Sequence, residues 1–172
     1  MQERAAAVTL KGNPFTVIGR PLKAGDKTPN FVVAKSIVDN VTSEQLLAGK
    51  LTILSAVPSL DTGICDAQTR KFNEEANKMG GNVQAVTVSV DLPFAQARWC
   101  GASGLENVIT VSDHKECSFG TAYGCLVKEL RILQRSVFVI DADGVVRYAE
   151  YVPEIGLHPD YDKALAAVKA LL

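Results

Sequence analysis

Leu51-Thr-Ile-Leu-Ser-Ala-Val57 is a mostly apolar run closed by Pro58, and the reading of the whole chain starts there. A short run without polar alternation, ended by a residue that lacks an N–H, suits a strand buried on both faces. Residues 65–79 follow as a helix, because Cys65, Phe72, Ala76 and Met79 recur at intervals of 7, 4 and 3 and share one face. Asp61, Thr62 and Asp66 place cap-type or acidic residues at its start, while Lys78 and Gly80-Gly81 mark its end. Val83–Val90 is a second apolar, β-branched run. Strand, helix and strand in that order make a βαβ unit, with two parallel strands and a right-handed crossover.

Upstream, residues 7–11 and 14–19 alternate loosely around Gly12-Asn13, which predicts a short N-terminal hairpin. Residues 20–29 are turn-rich, Phe31–Val33 reads as a short strand, and Ser43–Leu47 as one helical turn. Downstream, Pro93 opens a helix through Ala95, Ala97 and Trp99. Val108–Val111 is a short strand, and residues 116–123 are a short helix closed by Gly124. Ser136–Ile140 and Val145–Tyr151 flank Asp141-Ala-Asp-Gly144, a strong hairpin signal. A last helix, 160–171, carries Tyr161, Leu165, Val168 and Leu172 on one face. The sum is an α/β fold read as one domain over residues 1–172. It has a mixed sheet of about five core strands flanked by helices, and an N-terminal β-hairpin extension within residues 1–20.

At 172 residues, 47% hydrophobic and 22% charged, the chain has the make-up of a globular domain rather than a disordered or coiled-coil one. Basic and acidic residues nearly balance, 18 against 19, so no electrostatic footprint for nucleic acid or an anionic membrane is present. The most apolar stretch, Leu51–Leu60, is interrupted by Thr52, Ser55 and Pro58 and is too short for a spanning helix. The first ten residues include Glu3 and no extended apolar core, which argues against a secretory signal and makes the cytoplasm the expected location.

Four cysteines, Cys65, Cys100, Cys117 and Cys125, are separated by 35, 17 and 8 positions, so neither a C-x-x-C dithiol nor a zinc ribbon is written locally. A cysteine taken blind is a small buried hydrophobe. Cys65 differs, because it stands in the first turn of a helix that follows a buried strand. The free N–H groups there favour a thiolate, the nucleophilic form. Arg70 and Lys71 add positive potential nearby, and Asp61 and Asp66 oppose it. Thr62, three residues earlier, can bring its hydroxyl to the thiolate or to a bound oxygen; the plainer reading is a helix N-cap. Pro58 shields the site without adding a donor, or simply ends the strand. No G-x-S-x-G and no G-x-G-x-x-G after a strand occurs, so hydrolase and dinucleotide readings fail.

Pro58, Thr62 and Cys65 fill the pattern P-x-x-x-[T/S]-x-x-C, and in this the chain resembles the peroxiredoxins. Pro58-Ser-Leu-Asp-Thr-Gly-Ile-Cys65, Thr69-Arg-Lys-Phe-Asn73 and Asp91-Leu-Pro-Phe-Ala-Gln-Ala-Arg-Trp-Cys-Gly101 are similar to the thiol peroxidase subfamily, the atypical 2-Cys type. Asn107-Val-Ile-Thr110 and Pro159-Asp-Tyr-Asp-Lys-Ala-Leu165 extend the likeness over nearly the whole chain. The resemblance implies a thioredoxin-like fold, a homodimer, and reduction of hydroperoxides at the expense of thioredoxin. By position, Cys65 matches the peroxidatic cysteine, Cys100 the resolving cysteine and Thr62 the motif's hydroxyl. Arg135, at the start of Arg135-Ser-Val-Phe-Val-Ile-Asp141, best matches the family's arginine. Without the family it would read as an exposed strand end.

The chemistry that follows needs no metal, haem or flavin. The Cys65 thiolate becomes a sulfenic acid, and Cys100 condenses with it to an intramolecular disulfide that thioredoxin reduces. Because the two cysteines fall on different helices, local unwinding is expected between reduced and oxidised forms. Leu60, Ile64, Phe94 and Trp99 are expected as walls favouring an apolar organic hydroperoxide. Cys117 and Cys125 read as structural, and His114, Cys117 and Cys125 as poorly spaced for zinc. The alternative function is a peroxide sensor, in which Cys65 oxidation is relayed to a partner protein.

Overall fold

The computed structural model describes residues 1–172. The first third holds β1 (Glu3–Leu10), β2 (Asn13–Ile18), β3 (Val32–Ala34), β4 (Asn40–Thr42) and α1 (Ser43–Leu47). The middle third holds β5 (Leu51–Ala56), α2 (Gly63–Met79), β6 (Val83–Ser89), α3 (Pro93–Ser103) and β7 (Ile109–Ser112). Then come α4 (Ser118–Ala122), β8 (Leu126–Val127), β9 (Ile132–Leu133), β10 (Ser136–Ile140), β11 (Val146–Tyr151) and α5 (Tyr161–Lys169).

β5 and β6 pair in parallel from Leu51 opposite Val83 to Ala56 opposite Val88, as the apolar runs predicted. The main sheet has the order β11-β10-β5-β6-β7-β3-β4, with β7 parallel to β6 and β10 antiparallel to both β5 and β11. It is seven strands wide rather than about five, because the three-residue β3 and β4 extend its edge beside β7. Every residue of β5 and β6 is buried. Alternation explains this: Ile53, Val137 and Val139 meet Phe72, Ala76, Leu165 and Val168 of α2 and α5 on one face. Leu54, Val86 and Phe138 meet Phe31, Phe119 and Tyr123 on the other. Each Val, Leu, Ile or Phe among them, taken out of water, contributes about 1.5–3 kcal/mol.

The N-terminal hairpin turns through Lys11 and Gly12, both at positive φ (50° and 79°), as a two-residue primed turn requires. It does not stand free. β2 pairs with β8, giving a second sheet β1-β2-β8-β9, and Thr9 exchanges backbone hydrogen bonds with Pro153 and Ile155. Gly19 sits where this sheet crosses the chain at Gly124, and a Cβ there would lie 2.2 Å from the Thr121 carbonyl oxygen.

Most strands shift by a residue or so and β1 begins at Glu3, four residues early; three helices differ in ways that move a side chain of interest. α2 begins at Gly63, two residues early, which puts Cys65 third in the helix. α4 spans only Ser118–Ala122, so Cys117 lies outside it, at the N-cap in a left-handed conformation (φ 50°). α5 stops at Lys169 and leaves Leu172 exposed.

Asp113, 1% exposed, accepts backbone hydrogen bonds from Phe119 and Gly120 of α4. Burial nevertheless pushes its carboxyl up to about 6. A carboxyl raised in the folded state supports folding fully below its unfolded value and loses that support as pH rises through the folded one. The stability advantage of the native chain over Asp113→Asn should therefore shrink between pH 4 and 7, by up to about 3 kcal/mol. Urea unfolding of both proteins across that range measures it.

Candidate active site

The loop that follows β5 is pinned before it reaches the helix. Val57 donates to the Val88 carbonyl, which extends the parallel pairing by one bond, and Pro58 is buried behind it. Asp91 then holds the loop from the turn that follows β6. Its carboxylate accepts from the Ser59 hydroxyl (2.7 Å), the Leu60 N–H (2.8 Å) and the Ser89 hydroxyl (2.7 Å). Three donors on one carboxylate make a stiff, charge-assisted tether. Thr62 occupies the N-cap of α2, but its side chain does not cap the helix; the hydroxyl donates to the Ser59 carbonyl at 3.0 Å. That donation leaves the hydroxyl's lone pairs turned to solvent on an exposed residue.

Cys65, fully buried, packs with Val57, Leu60 and Trp99. Directly against its sulfur lies Arg135, whose Nη1 and Nη2 each stand 3.5 Å from Sγ. Arg135 is 2% exposed, so the plain strand-end reading is wrong. Its other donors are anchored: Nη1 to Gln68 Oε1 at 2.8 Å, Nη2 and Nε to the Ile155 carbonyl at 2.9 and 3.2 Å. Gln68 is itself fixed, donating from Nε2 to the Ser55 hydroxyl at 2.6 Å. A guanidinium so held presents a flat positive edge to one sulfur in a water-poor setting, where electrostatic attraction is stronger than in solvent.

Residues 23–165 match the Redoxin family. The chain is 56% identical over 167 residues to the thiol peroxidase of Halalkalibacterium halodurans, covering 97% of this chain and 99% of that one. It is 55% identical over 170 residues to the thiol peroxidase of Bacillus subtilis, with the same coverage. The chain belongs to the thiol peroxidases of the peroxiredoxin family. The crystal structure of a peroxiredoxin-like protein from Aquifex aeolicus superposes with a TM-score of 0.86 at 40% identity, covering 98% of this chain and 99% of that one. The fold is thus thioredoxin-like, and the activity is that of a peroxiredoxin-type oxidoreductase, with a peroxide as substrate and a thiol as reductant.

In this peroxiredoxin, Cys65 and Arg135 meet at the mouth of α2, while Pro58 is buried on the loop between β5 and α2 and the Thr62 hydroxyl bonds that loop rather than the cysteine. Cys100 stands apart on α3, half-buried and in no disulfide, its sulfur hydrogen-bonded to the Thr110 hydroxyl at 3.4 Å. Its neighbour Trp99 is what reaches the Cys65 cluster. A cleft of about 330 Å³ opens beside α3, walled by Leu60, Ala95, Trp99 and Ala102 and edged by Asp61, Asp91 and Arg98. Of the expected apolar walls, Leu60 and Trp99 line it; Ile64 and Phe94 do not, and Phe94 is 66% exposed.

Sequence reasoning missed Gln68, Ile155 and Asp91. Gln68 carried a signal: it lies one helical turn from Cys65, on the face that should be apolar. The remaining thiols have a different character. Burial pushes Cys117 up, opposed by Arg131, whose Nη2 lies 3.2 Å from its sulfur. Cys125 is held well above the ordinary thiol range by complete burial. His114 bonds Ser112 through Nδ1, and nowhere do three His, Cys, Asp or Glu side chains gather as a metal site requires.

Proposed function

We propose that the chain reduces hydrogen peroxide and organic hydroperoxides through Cys65 and Cys100, with thioredoxin as the reductant. The observation that carries this reading is the pair of guanidinium nitrogens 3.5 Å from a buried sulfur in the first turn of α2. In the first step the Cys65 thiolate attacks the terminal peroxide oxygen. The O–O bond breaks, the leaving alkoxide or hydroxide takes a proton, and Cys65 becomes a sulfenic acid. Arg135 stabilises the charge that develops along S···O···O and the Cys65 N–H adds a donor; the Thr62 hydroxyl, which donates to the Ser59 carbonyl in the resting site, must turn from it to serve the peroxide, and Pro58 keeps water from the back of the sulfur.

Cys100 then attacks the sulfenic sulfur; water leaves and an intramolecular Cys65–Cys100 disulfide forms. A thioredoxin dithiol takes over that bond by exchange and leaves as a disulfide. The half-exposed position of Cys100 supports its role as the sulfur first met by the reductant. Since both helices are intact while the sulfurs are free, the reading requires α3 or the α2 mouth to unwind before the bond closes. We also assign all 172 residues to one domain, working in the cytoplasm as a homodimer. The pairing of β2 with β8 supports the single domain, because it ties the hairpin to the part that matches Redoxin.

A disulfide map tests the cycle. Fully reduced protein is treated with one equivalent of cumene hydroperoxide, its free thiols are blocked, and the digest is searched for joined cysteines. The expected product is a Cys65–Cys100 bond within one chain that thioredoxin cleaves. Sulfenic or sulfinic Cys65 without that bond would demote Cys100 and favour the sensor reading.

A further inference from the structure

Only two residues of α3 are buried, Pro93 and Gln96, and both lie in its first half. The second half, which carries Cys100, faces α2 across a cleft of about 410 Å³. What spans that cleft is polar. The Trp99 indole N–H donates to Asp66 Oδ1 at 3.0 Å, and Asp66 Oδ2 accepts from Arg70 Nε at 2.9 Å. Arg70 lies over the Trp99 ring, 5.6 Å from its centroid, and its Nη1 donates to the Ser103 carbonyl at 2.8 Å. One acid and one base of α2 thus grip both the residue before Cys100 and the last residue of α3.

We propose that this Asp66–Arg70–Trp99 latch sets how Cys65 sulfenic acid divides between repair and irreversible loss. The inference rests on the Cys65–Cys100 cycle proposed above. From the sulfenic acid two reactions compete. In one, the Cys100 thiol attacks sulfur, an S–S bond forms and water leaves. In the other, a second peroxide transfers an oxygen atom to sulfur, its O–O bond breaks, and sulfinic acid and water result. The first requires α3 to detach from α2, because Cys100 must swing toward Cys65; the second does not. A grip made of one charge-assisted hydrogen bond to the indole, one to the Ser103 carbonyl and a cation–π contact holds α3 shut and slows only the first. Apart from the Trp99 ring, which packs on Val57, Leu60 and Cys65 and whose apolar body Trp99→Phe largely keeps, the second half of α3 buries no side chain, so the strength of the latch governs opening.

The test compares native protein with Trp99→Phe, Arg70→Gln and, as a control, Lys71→Gln, which removes a charge from α2 that pairs with Glu75 rather than α3. Reduced proteins are given graded hydrogen peroxide without reductant, and intact mass reports disulfide against sulfinic product. The peroxide dose that splits the two equally should rise about tenfold in each latch variant and stay put in the control. Hydrogen exchange of the reduced proteins should show residues 97–103 opening faster in both variants while residues 66–79 keep their protection. Unchanged exchange in α3, or a dose that does not move although the native chain forms the Cys65–Cys100 bond, overturns the latch alone. A native chain that gives sulfinic Cys65 at every dose and never that bond refutes the catalytic cycle, and the latch's role with it.

Discussion

Replacing Cys65 by serine is expected to remove peroxidase turnover, by more than about a thousandfold, while the protein stays folded. A hydroxyl is close in size to a thiol but does not ionise near neutral pH, so the guanidinium of Arg135 would face a neutral oxygen. Cys100→Ser should behave differently. It leaves Cys65, Arg135 and Gln68 untouched, so one equivalent of peroxide is still expected to be consumed at the native rate. The second turnover fails, because no internal thiol relieves the sulfenic acid. Rapid mixing with peroxide separates the two variants: no first-turnover burst for Cys65→Ser, a full burst without steady state for Cys100→Ser. A burst in Cys65→Ser would move the nucleophile elsewhere in the chain.

Arg135 is the second position of large effect. Arg135→Gln should slow the first oxidation by about 10²–10³-fold, the cost of losing a preorganised donor aimed at developing charge. Arg135→Lys is expected to recover only part of this. An ammonium can approach the sulfur, but it cannot also serve Gln68 Oε1 and the Ile155 carbonyl, which the native guanidinium meets at 2.8 and 2.9 Å. Both variants leave a buried carbonyl short of a partner, so urea unfolding belongs beside the kinetics. A lysine variant as fast as the native protein would mean that charge alone, not the fork, serves the thiolate.

How much of this was legible in the sequence depends on how each feature is encoded. The βαβ unit was, because β5, α2 and β6 are long enough to show their periods. β8 and β9 were not, since two residues carry no period; they exist because β2 places a partner beside β8, and β8 in turn one beside β9. At the site, Pro58, Thr62 and Cys65 lie within eight residues and could be read as one motif, whereas Arg135 matched only by likeness. Its burial depends on Gln68 and on a carbonyl at Ile155, and a backbone carbonyl has no signature in a sequence. Trp99 was expected as an apolar wall; that its N–H would be paired with Asp66 required knowing that α2 and α3 lie side by side.

The way Arg135 is mounted also orders events on the ribosome. Cys65 is synthesised 70 residues before the guanidinium that faces it, and Ile155, which holds that guanidinium, follows 20 residues later. Ile155 is in turn bonded through its N–H to the carbonyl of Thr9, far upstream of both. A nascent chain therefore carries its cysteine without the arginine while 70 residues are added. The charged surroundings of the sulfur are complete only once Ile155 has been added and its N–H has met Thr9, so a product stalled before Arg135 is a thiol without a mechanism.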